Sequence, residues 1–351
     1  MKRRPGSSGA LHLISTATAT RLVRLDRVGK IPAVMCLDTN YLDTIGMLSE
    51  LRVRTSRRVT GALKQPTKSR SSRIGWVRNS RDFTTLKHIS AGAALMLAAE
   101  YDRISSVTGN PPATIDLHKW DASVKGTLAE LGFFDLLRLR VDVPASTGGL
   151  MIEKMVSGSE VNMAPVNEAI RRLFDRMGGD PGLRLQLASA VTDAVENVRS
   201  HAYPTANPFS VPKWWFTGAV DQASGKLTLA ILDQGISIPR ALPMKWGLNQ
   251  IIEKFLSDFS LNFDPQDPAN DGQAIELAMT LATSTGLSFR GKGLPKILEI
   301  IRGCPEGRLR IVSRCGDYTY SADGSKLIQT HAVPFLGTYL ELEALLHQAQ
   351  P

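Results

Sequence analysis

Three short stretches in the second half of the chain carry side chains able to do chemistry. Along residues 187–203, apolar side chains recur at Leu187, Val191, Ala194, Val195, Val198 and Ala202, one buried stripe at helical period. Asp193, Asn197 and His201 recur at four-residue intervals and so stack on a different face. A carboxylate, a carboxamide and an imidazole in line could hold a hydrated cation and a polar ligand. Three polar residues opposite an apolar stripe also describe an ordinary solvated face. In the second stretch, the apolar run 227–232 leads into Asp233-Gln234-Gly235-Ile236-Ser237-Ile238-Pro239. A carboxylate at the end of a buried strand can accept a hydrogen bond from an amino group. Gly235 would let a flat ring approach the backbone. Asp-x-Gly is also a common strand-ending turn.

The third stretch is Gly286 to Leu298, where glycines precede an apolar segment with Pro295 in its first turn. Freed backbone amides at such a helix start bind anions such as phosphate. Gly286 to Lys292 spells most of a P-loop, but Gly293 stands where Ser or Thr would hold magnesium, and no clear strand precedes Gly286. The P-loop reading is rejected.

In this order the three stretches resemble the boxes of the GHKL ATPase superfamily, which includes histidine kinases and anti-sigma-factor kinases. The matching residues are Asp193 to Ala202, Asp233 to Pro239, and Gly291-Lys292-Gly293-Leu294, with closing strands at residues 307–313 and 337–342. The resemblance covers about residues 155–345. It implies ATP and Mg²⁺ as cofactors, with Asn197 coordinating the magnesium that bridges the phosphates. It implies that Asp233 binds the adenine amino group, that Gly235 packs near the base, and that Gly291 and Gly293, followed by Leu294, cradle phosphates. Residues 240–289 would be a lid over the nucleotide. Two departures stand out. Asp193 replaces the longer Glu that activates water in hydrolytic members, and Ser237 replaces a glycine. A shortened general base leaves hydrolysis slow or absent, so Asp193 is at most a candidate base of an ATPase or serine kinase. No helix pair carrying a phosphoacceptor His precedes Asp193, which disfavours a histidine kinase.

The elements that must position these residues follow from periodicity. Helices are expected at 164–177, 183–203, 246–259, 274–283 and 294–301, and strands at 214–220, 226–232, 308–313 and 338–342. Ahead of them, residues 31–145 alternate strand and helix, with helices at 90–107 and 122–131 and strands at 31–37 and 113–117. Residues 89–97, 113–117 and 128–133 there resemble a STAS domain, a small α/β module of partner-switching signalling. The resemblance places Ser90 where some members are phosphorylated by a GHKL kinase; Ser90 also reads as a plain helix N-cap. The expected fold is therefore α/β (α+β): a STAS-like module, then a GHKL-type sandwich with helices on one face of a mixed sheet.

Charge is uneven along the chain. Residues 1–90 hold 18 Lys and Arg against 5 Asp and Glu, a net of +13 within a total of +9. Residues 1–30 read as a flexible basic tail, and residues 52–81 as a basic, solvated insert. This insert suits an anionic partner, nucleic acid among them, although only Trp76 and Phe83 supply aromatics near it. The apolar fraction of 43% excludes disorder throughout. No apolar run is long enough for a membrane span, and the basic start is broken too soon for a secretory signal. Three scattered cysteines make neither a disulfide framework nor a zinc site. The expectation is a cytoplasmic, ATP-binding signalling protein with a protein partner and no membrane association.

Overall fold

A computed structural model describes residues 10–25, 28–64, 81–143, 149–205, 210–259, 262–264, 266–281 and 293–346. The chain forms two compact units, residues 1–148 and 149–351, both mixing helix and strand.

In the first unit, β1 (Ala10–Ser15) and β2 (Thr20–Leu25) form an antiparallel hairpin. The turn between them closes where the Thr16 N–H donates to the Ala19 carbonyl. The strands β3 (Gly29–Lys30), β5 (Arg81–Asp82) and β7 (Thr114–Ile115) complete a sheet of order β2-β1-β7-β5-β3, in which β7, β5 and β3 run parallel. A separate parallel pair joins β4 (Val34–Met35) to β6 (His88–Ile89). The helices are α1 (Tyr41–Lys64), α2 (Ala91–Thr108), α3 (Ala122–Glu130) and the short α4 (Phe133–Leu136). Ser90 caps α2, its Oγ accepting the Ala93 N–H at 3.3 Å, and Gly109 closes it in the left-handed region. Phe83 stacks on Trp120 with ring centroids 4.2 Å apart.

Two expectations are corrected here. Residues 10–25 are not a flexible tail, because Ile14 is buried and Asp116 holds the hairpin by accepting from the Leu13 N–H at 2.7 Å and His12 Nδ1 at 3.0 Å. The basic stretch 52–81 is not one insert. Its first part is the C-terminal half of α1, where Arg52 pairs with buried Glu100 at 2.9 Å, and its last residue, Arg81, lies buried on β5. Residues 65–80 lie outside the described residues. The charge of Arg52 thus serves the fold of this unit through its pair with Glu100, and deleting 52–81 would remove part of a helix and part of the sheet together.

The second unit has a six-stranded sheet of order β12-β13-β11-β10-β8, with β9 also pairing to β10. Its strands are β8 (Leu150–Ile152), β9 (Val156–Gly158), β10 (Trp214–Asp221), β11 (Lys226–Asp233), β12 (Arg308–Ser321) and β13 (Lys326–Leu345). Every described pair is antiparallel, so the expected mixed sheet is corrected. Tight hairpins join β10 to β11 and β12 to β13, and β13 then docks beside β11; none of these connections needs a crossover.

Helices α5 (Ala164–Met177), α6 (Pro181–Asn197), α9 (Asp271–Leu281) and α10 (Gly293–Arg302) share one core with this sheet. Val166, Ile170, Leu173, Leu187, Val191, Ile275 and Ile297 meet Phe216, Leu229, Ile311 and Leu340 in it. Between β11 and α9 the chain forms α7 (Ile238–Trp246) and α8 (Leu248–Phe259). With α9 they bury a smaller core of Leu242, Ile251, Phe255, Phe263 and Leu277. The stretch expected as a lid is therefore built on packed helices up to residue 281, and its remainder, 282–289, lies outside the described residues. Its α9 is anchored, since Asp271 pairs with Arg314 and accepts the Cys315 N–H at 2.9 Å.

Candidate functional site

The site begins at the end of α6. Pro181 opens this helix, and Asp180 caps it by accepting the Leu183 N–H at 2.6 Å. The helix was expected to run to Tyr203, but after Asn197 it widens into a π-turn, Val198–Ala202. Such turns are local departures from the α-helix that recur at functional sites. This one ends in two ties to the next element. The Ala202 carbonyl accepts the Ile236 N–H at 2.9 Å, and the Tyr203 hydroxyl accepts the Gln234 N–H at 2.9 Å. The end of α6 and the turn after β11 are thereby one structure.

Asp233 ends β11, buried, and its Oδ1 accepts the Gly235 N–H at 2.8 Å. The register sets it opposite Thr338 on β13. Thr338 Oγ1 lies 3.0 Å from Ser313 Oγ, and that same Ser313 oxygen accepts the Ile238 N–H at 2.9 Å. Two strands therefore fix the start of α7. Gly337 makes this close packing feasible: its φ is +123°, and a Cβ there would stand 2.1 Å from the Asp233 carbonyl oxygen.

One pocket lies among these parts. The end of α6 and its π-turn contribute Asn197, Val198 and His201. The sheet contributes Asp233 and Thr338, and Ser237 lies in the turn. Helix α7 adds Ala241, Lys245 and Trp246, and α10 adds Leu294. The lining is mainly apolar, with polar groups at few points, the usual make-up of a small-molecule site.

Asn197, Asp233 and Leu294, singled out from three separate stretches, thus meet at one pocket. Gly293 opens α10 beside Leu294, whereas Gly291 lies outside the described residues. Gly235 is absent from the lining. A Cβ there would fall 2.2 Å from the Ala202 carbonyl oxygen, so the chain's own backbone occupies the space the glycine leaves. Asp193 is also absent from the lining. It faces Lys296 of α10, with Nζ 4.0 Å from Oδ2, while Lys296 donates to Ser189 Oγ at 2.6 Å. Burial raises the Asp193 carboxyl above its ordinary pKa, and Lys296 partly offsets this.

His201, aligned with Asn197 by its spacing, reaches the pocket as well, whereas Lys245, Trp246, Ser313 and Thr338 carry no assigned role in the sequence reading. Lys245 and Trp246 fell within the stretch read as lid. Ser313 and Thr338 acquire their place only from strand register.

Ser237 is the strained point of the site. Its φ of +83° with ψ of 155° is a region that glycine adopts freely and other residues enter at a cost of about 1–3 kcal/mol. Its hydroxyl is buried and has no hydrogen-bond partner among the described residues, a further cost of about 1–3 kcal/mol.

Burial, with the positive charge of Lys245 second, lowers the His201 pKa below its usual value. The unfolded chain takes up a proton near pH 6.5 while the folded chain resists it. The stability gained is complete above that pH and is lost as pH falls through the folded-state value. Lys245→Met removes the second cause and leaves the first. The His201 pKa, followed through its ring protons by NMR, should then rise yet stay below the ordinary histidine value. An unchanged titration would show that the Lys245 charge does not reach the imidazole.

No protein-family model matches the chain, and no curated protein matches it. Among the described residues no helix is long and apolar enough to cross a membrane.

Proposed function

We propose that the second unit binds an adenine nucleotide with magnesium, as a domain of the GHKL type. The observation that carries this reading is the convergence of Asn197, Asp233 and Leu294 on one mainly apolar pocket. A buried carboxylate suits an amino-bearing heterocycle, and His201 with Lys245 suits an anionic tail. Among the described residues no group of three or more His, Cys, Asp or Glu could hold a metal unaided. Magnesium prefers to keep waters and phosphate oxygens as ligands. Asn197 would supply it with a protein oxygen alongside the phosphates of a bound nucleotide.

The protein acts, in this reading, as a cytoplasmic regulatory switch. Nucleotide, held against α7, alters what the protein binds, and the first unit serves as a STAS-like module for a protein partner. The position of Asp193, beside Lys296 and off the pocket lining, favours binding over rapid turnover.

The test is calorimetric titration of the whole protein with Mg-ATP. Saturable binding near one nucleotide per chain is expected, and a folded protein that takes up none overturns the reading. Asp193→Ala should leave affinity within about twofold of the parent, because a partly exposed ion pair contributes little. A large loss of affinity would put Asp193 at the nucleotide after all.

A further inference from the structure

Ser237 carries two local penalties at once, and glycine would remove both. Its backbone conformation is one that glycine adopts without strain. Its side chain adds only a hydroxyl, which is enclosed and without a partner among the described residues. A residue that breaks local rules in this way is expected where function requires it. Ser237 also lies in the wall of the pocket. Its position is fixed from both sides: Ile238, the next residue, donates its N–H to Ser313 Oγ, which touches Thr338 Oγ1, and Thr338 pairs with Asp233 across the sheet. The backbone of residue 237 is thus tied to the same strands that carry Asp233 and Thr338.

We propose that Ser237 is a specificity-determining residue, whose hydroxyl bonds the ring nitrogen next to the amino group that Asp233 receives. The inference rests on the nucleotide reading above. In adenine that nitrogen is an acceptor. A serine hydroxyl, able to donate or accept, donates to it, while the Asp233 carboxylate accepts from the amino group. Rotation about χ1 on binding carries Oγ from its enclosed position to the ligand. The hydroxyl, without a partner among the described residues, then gains one in the complex. The two groups together read a donor beside an acceptor, the edge that separates adenine from guanine and hypoxanthine.

The experiment compares the whole protein with its Ser237→Gly and Ser237→Ala variants. Thermal unfolding is measured without ligand, and affinity is measured for Mg-ATP and for its 1-deaza analogue, in which C–H replaces that ring nitrogen. Ser237→Gly is expected to unfold at a higher temperature than the parent, since it relieves the backbone. It should nonetheless bind Mg-ATP about five- to tenfold more weakly, the worth of one hydrogen bond. Ser237→Ala keeps the strained backbone and should lose the same affinity while gaining less stability than glycine. The parent should prefer ATP to the 1-deaza analogue by a similar factor, and both variants should lose that preference. If the parent binds Mg-ATP and either variant binds it as tightly, or the preference survives in the variants, the role of Ser237 is overturned while the nucleotide reading stands. A parent that binds no Mg-ATP overturns both.

Discussion

Gly235→Ala is expected to destabilise the second unit by about 3 kcal/mol, at the upper end of overpacking penalties. For a unit of this size that lowers Tm by roughly 6–12 °C. The added methyl carbon would stand 2.2 Å from the Ala202 carbonyl oxygen and 2.6 Å from the Ala202 Cβ. Neither atom can swing aside. The carbonyl is held by the Ile236 N–H at 2.9 Å, and the Ala202 Cβ moves only with its own backbone. Relief must come from parting the π-turn from the strand-ending turn, which moves Asn197 and Asp233 away from each other. Nucleotide binding should therefore fall as well, but as a consequence. The measurement is thermal unfolding without ligand. An unchanged Tm with weakened binding would mean that position 235 faces the ligand and that the contact with Ala202 yields easily.

This glycine illustrates what was legible in the sequence. The Asp-x-Gly turn and the end of β11 could be read from composition and alternation. The partner that makes glycine obligatory, Ala202, could not, because the π-turn that delivers it has no simple sequence signature. Elements bounded by strong local signals were read closely. Pro165 in the first turn and Gly178 just past the end, with φ of 68°, frame α5 at residues 164–177. A short turn separates β10 from β11. Only the ends of the β12–β13 hairpin were seen, because its middle carries polar residues such as Asp317 and Gln329 and its register shifts near Arg314. Strands with weak alternation and a bulge carry little periodic signal. The hairpin of residues 10–25 was missed for a different reason: its order depends on Asp116, a hundred residues away. At the site, the chemistry-bearing residues were legible one by one. Their meeting depends on strand register and helix packing, as do Thr338, Ser313 and Lys245, and no local pattern encodes those.

Asp233→Asn should weaken Mg-ATP binding by about 10- to 100-fold and leave Tm within a few degrees of the parent. Asp233 is buried, and one of its oxygens holds the turn by accepting the Gly235 N–H at 2.8 Å. Asparagine keeps a carbonyl oxygen for that bond, so the turn survives, whereas alanine would lose it and confuse binding with folding. What asparagine removes is the negative charge, and it sets an NH₂ donor where a carboxylate oxygen stood. A hydrogen bond to a charged group contributes about 1.5–3 kcal/mol, which sets the range given. The substitution also predicts a gain. An NH₂ group facing the ring favours a carbonyl, so inosine triphosphate, with a carbonyl in place of the amino group, should bind the variant better relative to ATP than it binds the parent. Loss for ATP alone could come from a displaced turn, but a shift in preference toward inosine triphosphate requires residue 233 to face the substituent that differs. Equal affinity of parent and variant for ATP would remove Asp233 from the recognition of the base, and the reading of the pocket as an adenine site would go with it.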